Sequence, residues 1–234
     1  MLDIVQRYIP VVNAIKRARL KTKKIVEVGG TGEGVAFYLP DYEIIDCDIQ
    51  FVKNILHNVT PIKNKGGRLP LPDNYVDILI SVDMLEHLPI KKNREKMVKE
   101  MLRVAKSKVI LTIPTGEKSL EAVRKFGELF HKKYPKIKNK YVIEHLTYGH
   151  PEKEEVINMI KNGGFKTIIH TQKNTNTTLW LLFQKFYIKF PKLYLIFRYR
   201  KFWYHILKPF SFLFNFGKTM RTIFYIELDK KITT

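Results

Sequence analysis

Two short runs of the sequence carry the side chains best suited to proton transfer. One run covers residues 81–88 (SVDMLEHL), and the other covers residues 144–151 (EHLTYGHP). Imidazole exchanges protons most readily near neutral pH, and carboxylates can share the task. The predicted catalytic residues are His87, Asp83 and His145. The residues predicted to contact a substrate are Tyr148 and His150.

Each run also has a structural interpretation, which stays open at this point. Glu86 and His87 follow a predicted strand and can cap the helix after it. His145 and His150 can be loop residues whose ring nitrogens are satisfied by hydrogen bonds. Because the second run precedes a predicted helix, it is also placed to close over a substrate.

A third run, residues 26–34 (VEVGGTGEG), lies between a predicted strand and a predicted helix. Glycine permits positive φ and the close approach of a ligand, and a helix N-terminus offers free N–H groups. Such a turn also suits a nucleotide phosphate. Asp48 follows about twenty residues later at the tip of the next strand, where an acid can bind both ribose hydroxyls. The two features favour a ligand that contains a ribose.

Strands and helices alternate along the chain and must position these runs. The predicted strands are residues 24–28, 42–45, 76–82, 109–114, 165–169 and 222–228, and the predicted helices include residues 35–39, 92–106 and 120–132. This rhythm predicts an α/β fold with a doubly wound, mostly parallel sheet and helices on both faces. We expect one domain over residues 1–234. Its first 22 residues are predicted to form an amphipathic helix, because Asp3, Gln6 and Arg7 interrupt the apolar stretch.

Residues 69–77 (LPLPDNYVD) precede the run SVDMLEHL. Together with the glycine-rich turn, they resemble class I S-adenosylmethionine-dependent methyltransferases of the small-molecule type, which typically show an LPFPD-x-x-FD element before a DVLEHL element. The resemblance covers residues 20–115 and continues more thinly through residues 163–165 and the last strand. It implies a Rossmann-like fold, S-adenosylmethionine as the cofactor and methyl transfer as the reaction.

The resemblance also implies roles for particular residues. Glu27 matches the acid that helps to hold the methionine amino group, and Asp48 matches the ribose acid. Leu69 lies where the adenine is usually bracketed. The glycines that match the turn beneath the cofactor are Gly29, Gly30 and Gly32. The residues that match the methionine end and the methyl group are Asp83 and Met84.

Two departures from the family pattern concern cofactor affinity. The second and fourth positions after Gly29 are usually glycine, but here they are Thr31 and Glu33. The adenine-contacting Asp or Asn before the LPFPD element is replaced by residues 66–68 (GGR). We therefore expect a shorter or differently shaped turn, and either weaker binding or an adenine held by backbone groups.

The spacing Asp83-x-x-Glu86-His87 also resembles that of ubiquinone-type O-methyltransferases, which bind a divalent cation. Here Asp replaces their usual Glu, and adjacent side chains rarely converge on one ion. From the sequence we therefore predict no metal site.

Residues 173–218 form what we call the basic–aromatic insertion. The segment contains nine Lys or Arg, no Asp or Glu, and 15 of the 29 aromatic residues of the chain. Around Pro191, its cations have helical spacing in two sets: Lys185, Lys189 and Lys192, and Arg198, Lys201 and Lys208. It is predicted to be a helical insertion before the last strand. The alternatives are a solvated cationic face, a membrane-surface helix or a nucleic-acid contact.

The net charge and the cysteine content indicate which partners and which cellular compartment suit the protein. The net charge of +20 favours polyanionic neighbours, either nucleic acid or an anionic membrane. The single cysteine, Cys47, fits a reducing compartment. We predict a cytoplasmic methyltransferase, peripheral on the inner membrane face, that acts on an oxygen atom of a small or lipid-linked acceptor. RNA methylation and a non-catalytic binding module are the alternatives.

Overall fold

The computed structural model describes residues 2–64, 66–192 and 199–230. Seven strands form one sheet in the order β3-β2-β1-β4-β5-β7-β6. The strands are β1 (Lys24–Val28), β2 (Glu43–Asp48), β3 (Val59–Lys63), β4 (Val76–Val82), β5 (Ala105–Pro114), β6 (Thr167–Asn176) and β7 (Thr219–Leu228). The first five strands run parallel to one another, whereas β7 is antiparallel to both β5 and β6.

The sheet changes winding direction at β1, which lies between β2 and β4. Val28 at the end of β1 pairs with Cys47 of β2 and with Ser81 of β4. In open α/β sheets, ligands bind in the crevice outside the carboxyl ends of the strands at such a reversal. The glycine-rich turn, Asp48 and the run SVDMLEHL all begin at this edge of the sheet.

Helices cover both faces of the sheet. They are α1 (Leu2–Arg17), α2 (Lys91–Val104), α3 (Gly116–Lys133), α4 (Lys140–Tyr148), α5 (Lys153–Lys161), α6 (Thr177–Lys189) and α7 (Arg200–Leu207). Short 3₁₀ turns occur at Val35–Phe37, Leu85–His87 and Lys208–Phe214. Helices α2 and α5 bury their apolar stripes on one face, and α1 and α7 do so on the other.

The fold class predicted from the sequence is confirmed, and several boundaries differ. The N-terminal helix ends at Arg17, before residue 22, and the predicted helix at residues 35–39 is a 3₁₀ turn. Strand β3 and helix α4 were not predicted. Strand β6 extends to Asn176 because it pairs along almost the whole of β7. Lys173 therefore lies in a strand, and the helical part of the insertion begins at Thr177.

The basic–aromatic insertion leaves and re-enters the sheet at one place, since Asn176 of β6 pairs with Thr219 of β7. Within its described part it consists of α6, α7 and the 3₁₀ turn at Lys208–Phe214. The predicted cationic face that includes Arg198 lies partly outside the described residues. In the described part of the chain, no helix is both long and apolar enough to cross a bilayer.

Candidate functional site

The glycine-rich turn connects β1 to the first 3₁₀ turn through a run of left-handed backbone. Gly29 and Gly32 have φ of +90° and +89°, and Thr31 between them has φ of +58°. A β-branched residue at positive φ is strained. The sequence departs from the family pattern at Thr31, but the backbone there keeps a conformation that glycine adopts without cost.

Two acids of β2 accept the backbone N–H groups of this turn. Asp46 accepts from Gly30 at 3.0 Å and from Gly32 at 2.6 Å, and Asp48 accepts from Thr31 at 3.0 Å. The site residues predicted from the sequence include Asp48 but not Asp46. The signal for Asp46 was available, because two acids spaced by two residues at a strand end lie on the same face. Asp46 shapes the turn, and Asp48 lies at its outer side.

Glu27 lies beneath the turn and is fully buried. Its carboxylate accepts hydrogen bonds from the Tyr8 hydroxyl at 3.1 Å and from the Val35 N–H at 2.8 Å. Burial and the nearby Asp46 carboxylate raise the pKa of Glu27 above its usual value. A Cβ added at Gly34 would lie 2.1 Å from this carboxylate. The position of Glu27 is thus set by the protein itself, and its contact with a methionine amino group stays a prediction.

The other predicted cofactor residues lie beside the turn or in the core next to it. Met84 packs on Gly29 so closely that a Cβ there would lie 2.6 Å from the Met84 Cγ. Leu69 is buried, its N–H donates to Glu100 at 2.9 Å, and its carbonyl accepts from Arg103. Both backbone groups of Leu69 are engaged and its side chain packs in the core, so its contact with an adenine stays a prediction.

Asp83 belongs to a buried network of four charges. Its Oδ2 accepts from Arg7 at 2.9 Å and from Arg221, and Arg221 also makes two hydrogen bonds to Asp3. Burial raises the pKa of Asp3, but Arg221 and Arg7 outweigh burial and hold that pKa below its usual range. Both guanidinium groups contact Oδ2, and Oδ1 is buried without a hydrogen-bond partner among the described residues. Two adjacent cations stabilise the charged carboxylate, which fits a positioning role better than the predicted role of proton acceptor.

Three of the predicted histidines form one cluster. His87 Nδ1 lies 2.9 Å from Glu144, His145 Nδ1 lies 2.5 Å from His150 Nε2, and His150 Nδ1 lies 2.6 Å from Ser119 Oγ. Burial lowers the pKa of His145 to about 2 and that of His150 to about 3, so both imidazoles are neutral at physiological pH.

Helix α4 places this cluster, so the expectation of a loop at residues 144–148 is wrong. Asn139 caps the helix by accepting the Val142 N–H at 3.2 Å. Tyr148 is the last residue of α4, and its carbonyl accepts a hydrogen bond from Arg94 at 3.0 Å. A contact between Tyr148 and a substrate stays a prediction.

Glu86 is buried beside His87, and neither of its carboxylate oxygens has a hydrogen-bond partner among the described residues. Burial and the charge of Asp83 raise its pKa above the usual value. The interpretation of Glu86 and His87 as a helix cap is wrong, because α2 follows Ile90 without a side-chain cap. Ligand atoms of Glu86, His87 and His145 all lie within 4.8 Å of one another.

A family model described as "Methyltransferase domain" matches residues 26–113, which contain the glycine-rich turn, Asp48 and the run SVDMLEHL. No curated protein sequence matches the chain.

Solved structures share the fold at low sequence identity. Phosphoethanolamine N-methyltransferase 2 of Haemonchus contortus, in complex with S-adenosyl-L-methionine, has a TM-score of 0.57 and 15% identity over 97% of this chain and 56% of that chain. A Galdieria sulphuraria protein described as a sarcosine dimethylglycine methyltransferase has a TM-score of 0.57 and 16% identity over 95% and 84%. A protein described as a methyltransferase, in complex with the Haloferax volcanii Trm112 activator, has a TM-score of 0.55 and 11% identity over 98% and 92%.

Proposed function

Because this chain carries a class I S-adenosylmethionine-dependent methyltransferase domain, we propose that it methylates a hydroxyl group of a small or lipid-linked acceptor at an anionic membrane surface. The class, the cofactor and the Rossmann-like fold implied by residues 20–115 are confirmed by the family match and by the fold. The acceptor, the methylated atom and the membrane belong to the proposal.

The cofactor is proposed to lie across the carboxyl ends of β1, β2 and β4. There Asp48 meets the ribose, the glycine-rich turn lies beneath the cofactor, and Met84 borders the methionine end. Since methyl transfer from a sulfonium is an in-line displacement, alignment of donor and acceptor supplies much of the rate. The buried charges around Asp83 fix the β4 tip, which holds that alignment.

The histidine cluster supports oxygen as the methylated atom. A hydroxyl acceptor must lose its proton, and a base in hydrogen-bond reach speeds that loss. Glu144 orients His87 through Nδ1, which leaves the other ring nitrogen, Nε2, to face an acceptor. His87 is half-buried, whereas His145 is fully buried, so His87 is the imidazole that we propose to meet the hydroxyl.

The observation that carries the membrane proposal is the surface of the basic–aromatic insertion. Its exposed apolar side chains include Phe202, Phe210, Phe212 and Phe216, each more than half exposed. Exposed lysines lie among them and the insertion has no acid. Exposed aromatic residues with interspersed cations are typical of segments that lie on anionic membranes.

The same insertion contacts the cofactor side of the domain. Arg200 of α7 pairs with Glu33 of the glycine-rich turn at 2.9 Å. The Tyr204 ring lies 5.4 Å from the Tyr38 ring, centre to centre, and Tyr38 stacks on Tyr8 of α1. A membrane contact through α7 is therefore close enough to present a lipid-linked acceptor to the methyl donor.

A titration with S-adenosylmethionine tests the cofactor part of the proposal. Asp48→Ala is expected to weaken binding at least tenfold, because it removes the acceptor for the ribose hydroxyls. Asp41→Ala, in the exposed turn before β2, is the control and should bind as the wild type does. Equal affinity of Asp48→Ala and the wild type refutes the ribose assignment.

Sedimentation with phosphatidylglycerol vesicles tests the membrane part. We expect the wild type to bind, and the variant Phe210→Ser with Phe212→Ser to bind at least tenfold more weakly. Ile137→Ser, which changes an exposed apolar residue outside the insertion, is the control. Tight, salt-sensitive RNA binding without vesicle binding would instead favour RNA methylation.

A further inference from the structure

Glu86, His87 and His145 present three potential metal ligands to one small space. Their ligand atoms all lie within 4.8 Å of one another. Glu86 and His145 have essentially no exposed surface, and His87 is half-buried. Two of these three residues are adjacent in the chain, and His145 comes from a different helix, so the site exists only in the folded protein.

Hydrogen bonds to Ser119 and His150 determine which nitrogen of His145 is free. The Ser119 hydroxyl donates to the Gly116 carbonyl at 2.8 Å, so its oxygen accepts from His150 Nδ1–H. A neutral imidazole has one N–H, and His150 Nε2 must therefore accept from His145 Nδ1–H. His145 Nε2 is left with a bare lone pair, and it has no partner among the described residues.

His87 has the same arrangement. The Glu144 carboxylate can only accept, so His87 Nδ1–H donates to it at 2.9 Å and Nε2 keeps its lone pair. A histidine that binds a metal through one nitrogen usually donates its other N–H to a carboxylate or another acceptor. Both imidazoles are therefore held in the tautomer that binds a metal through Nε2.

Glu86 completes the set as an unpartnered carboxylate. The nearest buried cation in sequence, Arg94, donates to the carbonyl oxygens of Glu86, Leu88, Tyr148 and Gly149, and not to the Glu86 carboxylate. Both oxygens of Glu86 are thus buried without a donor in the described part of the chain. A buried, unpaired carboxylate is costly unless a cation or a proton meets it.

We propose that Glu86, His87 and His145 bind one divalent transition-metal ion of the Zn²⁺ type. Two imidazole nitrogens and one carboxylate oxygen suit Zn²⁺ and its first-row neighbours, whereas Mg²⁺ and Ca²⁺ prefer oxygen ligands. Three protein ligands also leave a coordination position open. The ligand set differs from the Asp83-x-x-Glu86-His87 spacing considered in the sequence, because Asp83 is occupied by Arg7 and Arg221.

The site lies beside the proposed place of the methyl donor, since Glu86 and His87 come two and three residues after Met84 in the chain. A cation held there would take the Nε2 lone pair of His87. It would then assist an acceptor hydroxyl in place of the free imidazole, by lowering the pKa of the bound hydroxyl so that water can take its proton. Binding of the metal itself does not depend on the acceptor proposed above.

Calorimetric titration of the tag-free, metal-stripped chain with ZnCl₂ tests the proposal. We expect one ion per chain, and at least tenfold weaker binding in Glu86→Gln and in His87→Ala. Glu144→Gln should weaken binding about tenfold or more, since partners of metal ligands typically contribute 10–100-fold. His170→Ala, which changes an exposed histidine of β6, should bind as the wild type does.

Cobalt absorption provides a second measurement that does not depend on activity. Co²⁺ added to the wild type should give visible bands from nitrogen and oxygen ligation, and Glu86→Gln should lose them while its circular dichroism stays native. The proposal is overturned if the wild type does not bind Zn²⁺, or if Glu86→Gln and His87→Ala bind it with the affinity of the wild type. Methyl transfer by a metal-stripped chain would leave the methyltransferase proposal intact, so the two proposals fail separately.

Discussion

Arg200 of α7 forms an ion pair with Glu33 of the glycine-rich turn, with 2.9 Å between Nη1 and Oε2. This pair joins the basic–aromatic insertion to the turn beneath the proposed cofactor. Exposed ion pairs contribute little to stability, about 0–1 kcal/mol. We therefore expect the Arg200–Glu33 pair to affect cofactor binding rather than the free energy of unfolding.

Arg200→Ala is predicted to weaken S-adenosylmethionine binding several-fold and to leave the unfolding midpoint in urea almost unchanged. The reason is that Glu33 loses the contact that restrains the turn. Calorimetric titration measures the affinity. Arg124→Ala, which removes a looser surface pair with Glu117 at 3.7 Å, is the control. Equal affinities of Arg200→Ala and the wild type would show that the insertion does not restrain the turn.

Thr31→Gly is predicted to stabilise the protein by about 1 kcal/mol, because left-handed backbone costs a residue with a Cβ roughly 1–2 kcal/mol, and the greater entropy of glycine in the unfolded state offsets only part of that gain. Urea unfolding measures the change. Thr31→Ala keeps the Cβ and serves as the control for loss of the hydroxyl. If Thr31→Ala stabilises as much as Thr31→Gly, the strain at φ +58° is not the cause.

Gly34→Ala is predicted to destabilise the protein by at least about 1–3 kcal/mol, the usual range for overpacking. The added Cβ would lie 2.1 Å from the Glu27 carboxylate, which is fixed by Tyr8 and Val35. Gly164→Ala is a matched control, since Gly164 also has positive φ but nothing lies within 4 Å of its Cβ. Thermal unfolding should show a clearly larger loss for Gly34→Ala than for Gly164→Ala.

Glu27 is predicted to make the protein less stable as pH rises above about 4.3, the ordinary glutamate pKa. Its pKa is raised in the folded state by burial and by Asp46, so the folded protein binds the proton more tightly than the unfolded chain. Stability therefore falls with rising pH until the folded-state pKa is passed. Each pKa unit of the shift contributes about 1.4 kcal/mol.

Glu27→Gln should remove the part of this pH dependence that Glu27 contributes, and urea unfolding at pH 5 and pH 8 measures the decrease. Glu128→Gln, on an exposed face of α3, should keep the wild-type dependence. A Glu27→Gln variant whose stability still falls between the two pH values to the wild-type extent would assign the effect to another group.

Arg221→Met is predicted to destabilise the protein by about 3–5 kcal/mol, because it leaves Asp3 and Asp83 buried with one fewer cation. Replacing Asp3 and Asp83 by Asn in the same variant should recover part of that loss. Chemical unfolding of both variants checks this. Absence of any recovery would mean that packing, and not charge, makes Arg221 important.

The elements predicted well are those whose local pattern agrees with their place in the fold. Strands β1 and β4 are mostly apolar runs in the centre of a parallel sheet, and their predicted bounds match. Strand β3 was missed because Pro61 argues against a central strand. It is tolerated because β3 is the edge strand of the sheet.

Helix α4 and the charge network show where local sequence was insufficient. Residues 140–148 contain β-branched and aromatic residues with weak helix preference, and Asn139 was the available cap signal. The pairing of Arg221 with Asp3 joins residues far apart in the chain, and no local pattern contains it. The proximity of His145 to Glu86 could not be predicted for the same reason, because the two residues are also far apart in the chain.

Because Asn176 pairs with Thr219, the helical part of the basic–aromatic insertion begins and ends at neighbouring positions of the sheet, which makes it replaceable as a unit. The chain departs from the sheet and rejoins it through neighbouring residues, so residues 177–218 can be traded for another segment without changing the register of β6 and β7. Protein engineers can therefore graft a different cap onto the same donor-binding half. Such chimeras would separate acceptor specificity, which depends on the exchanged segment, from binding of the methyl donor by the rest of the domain.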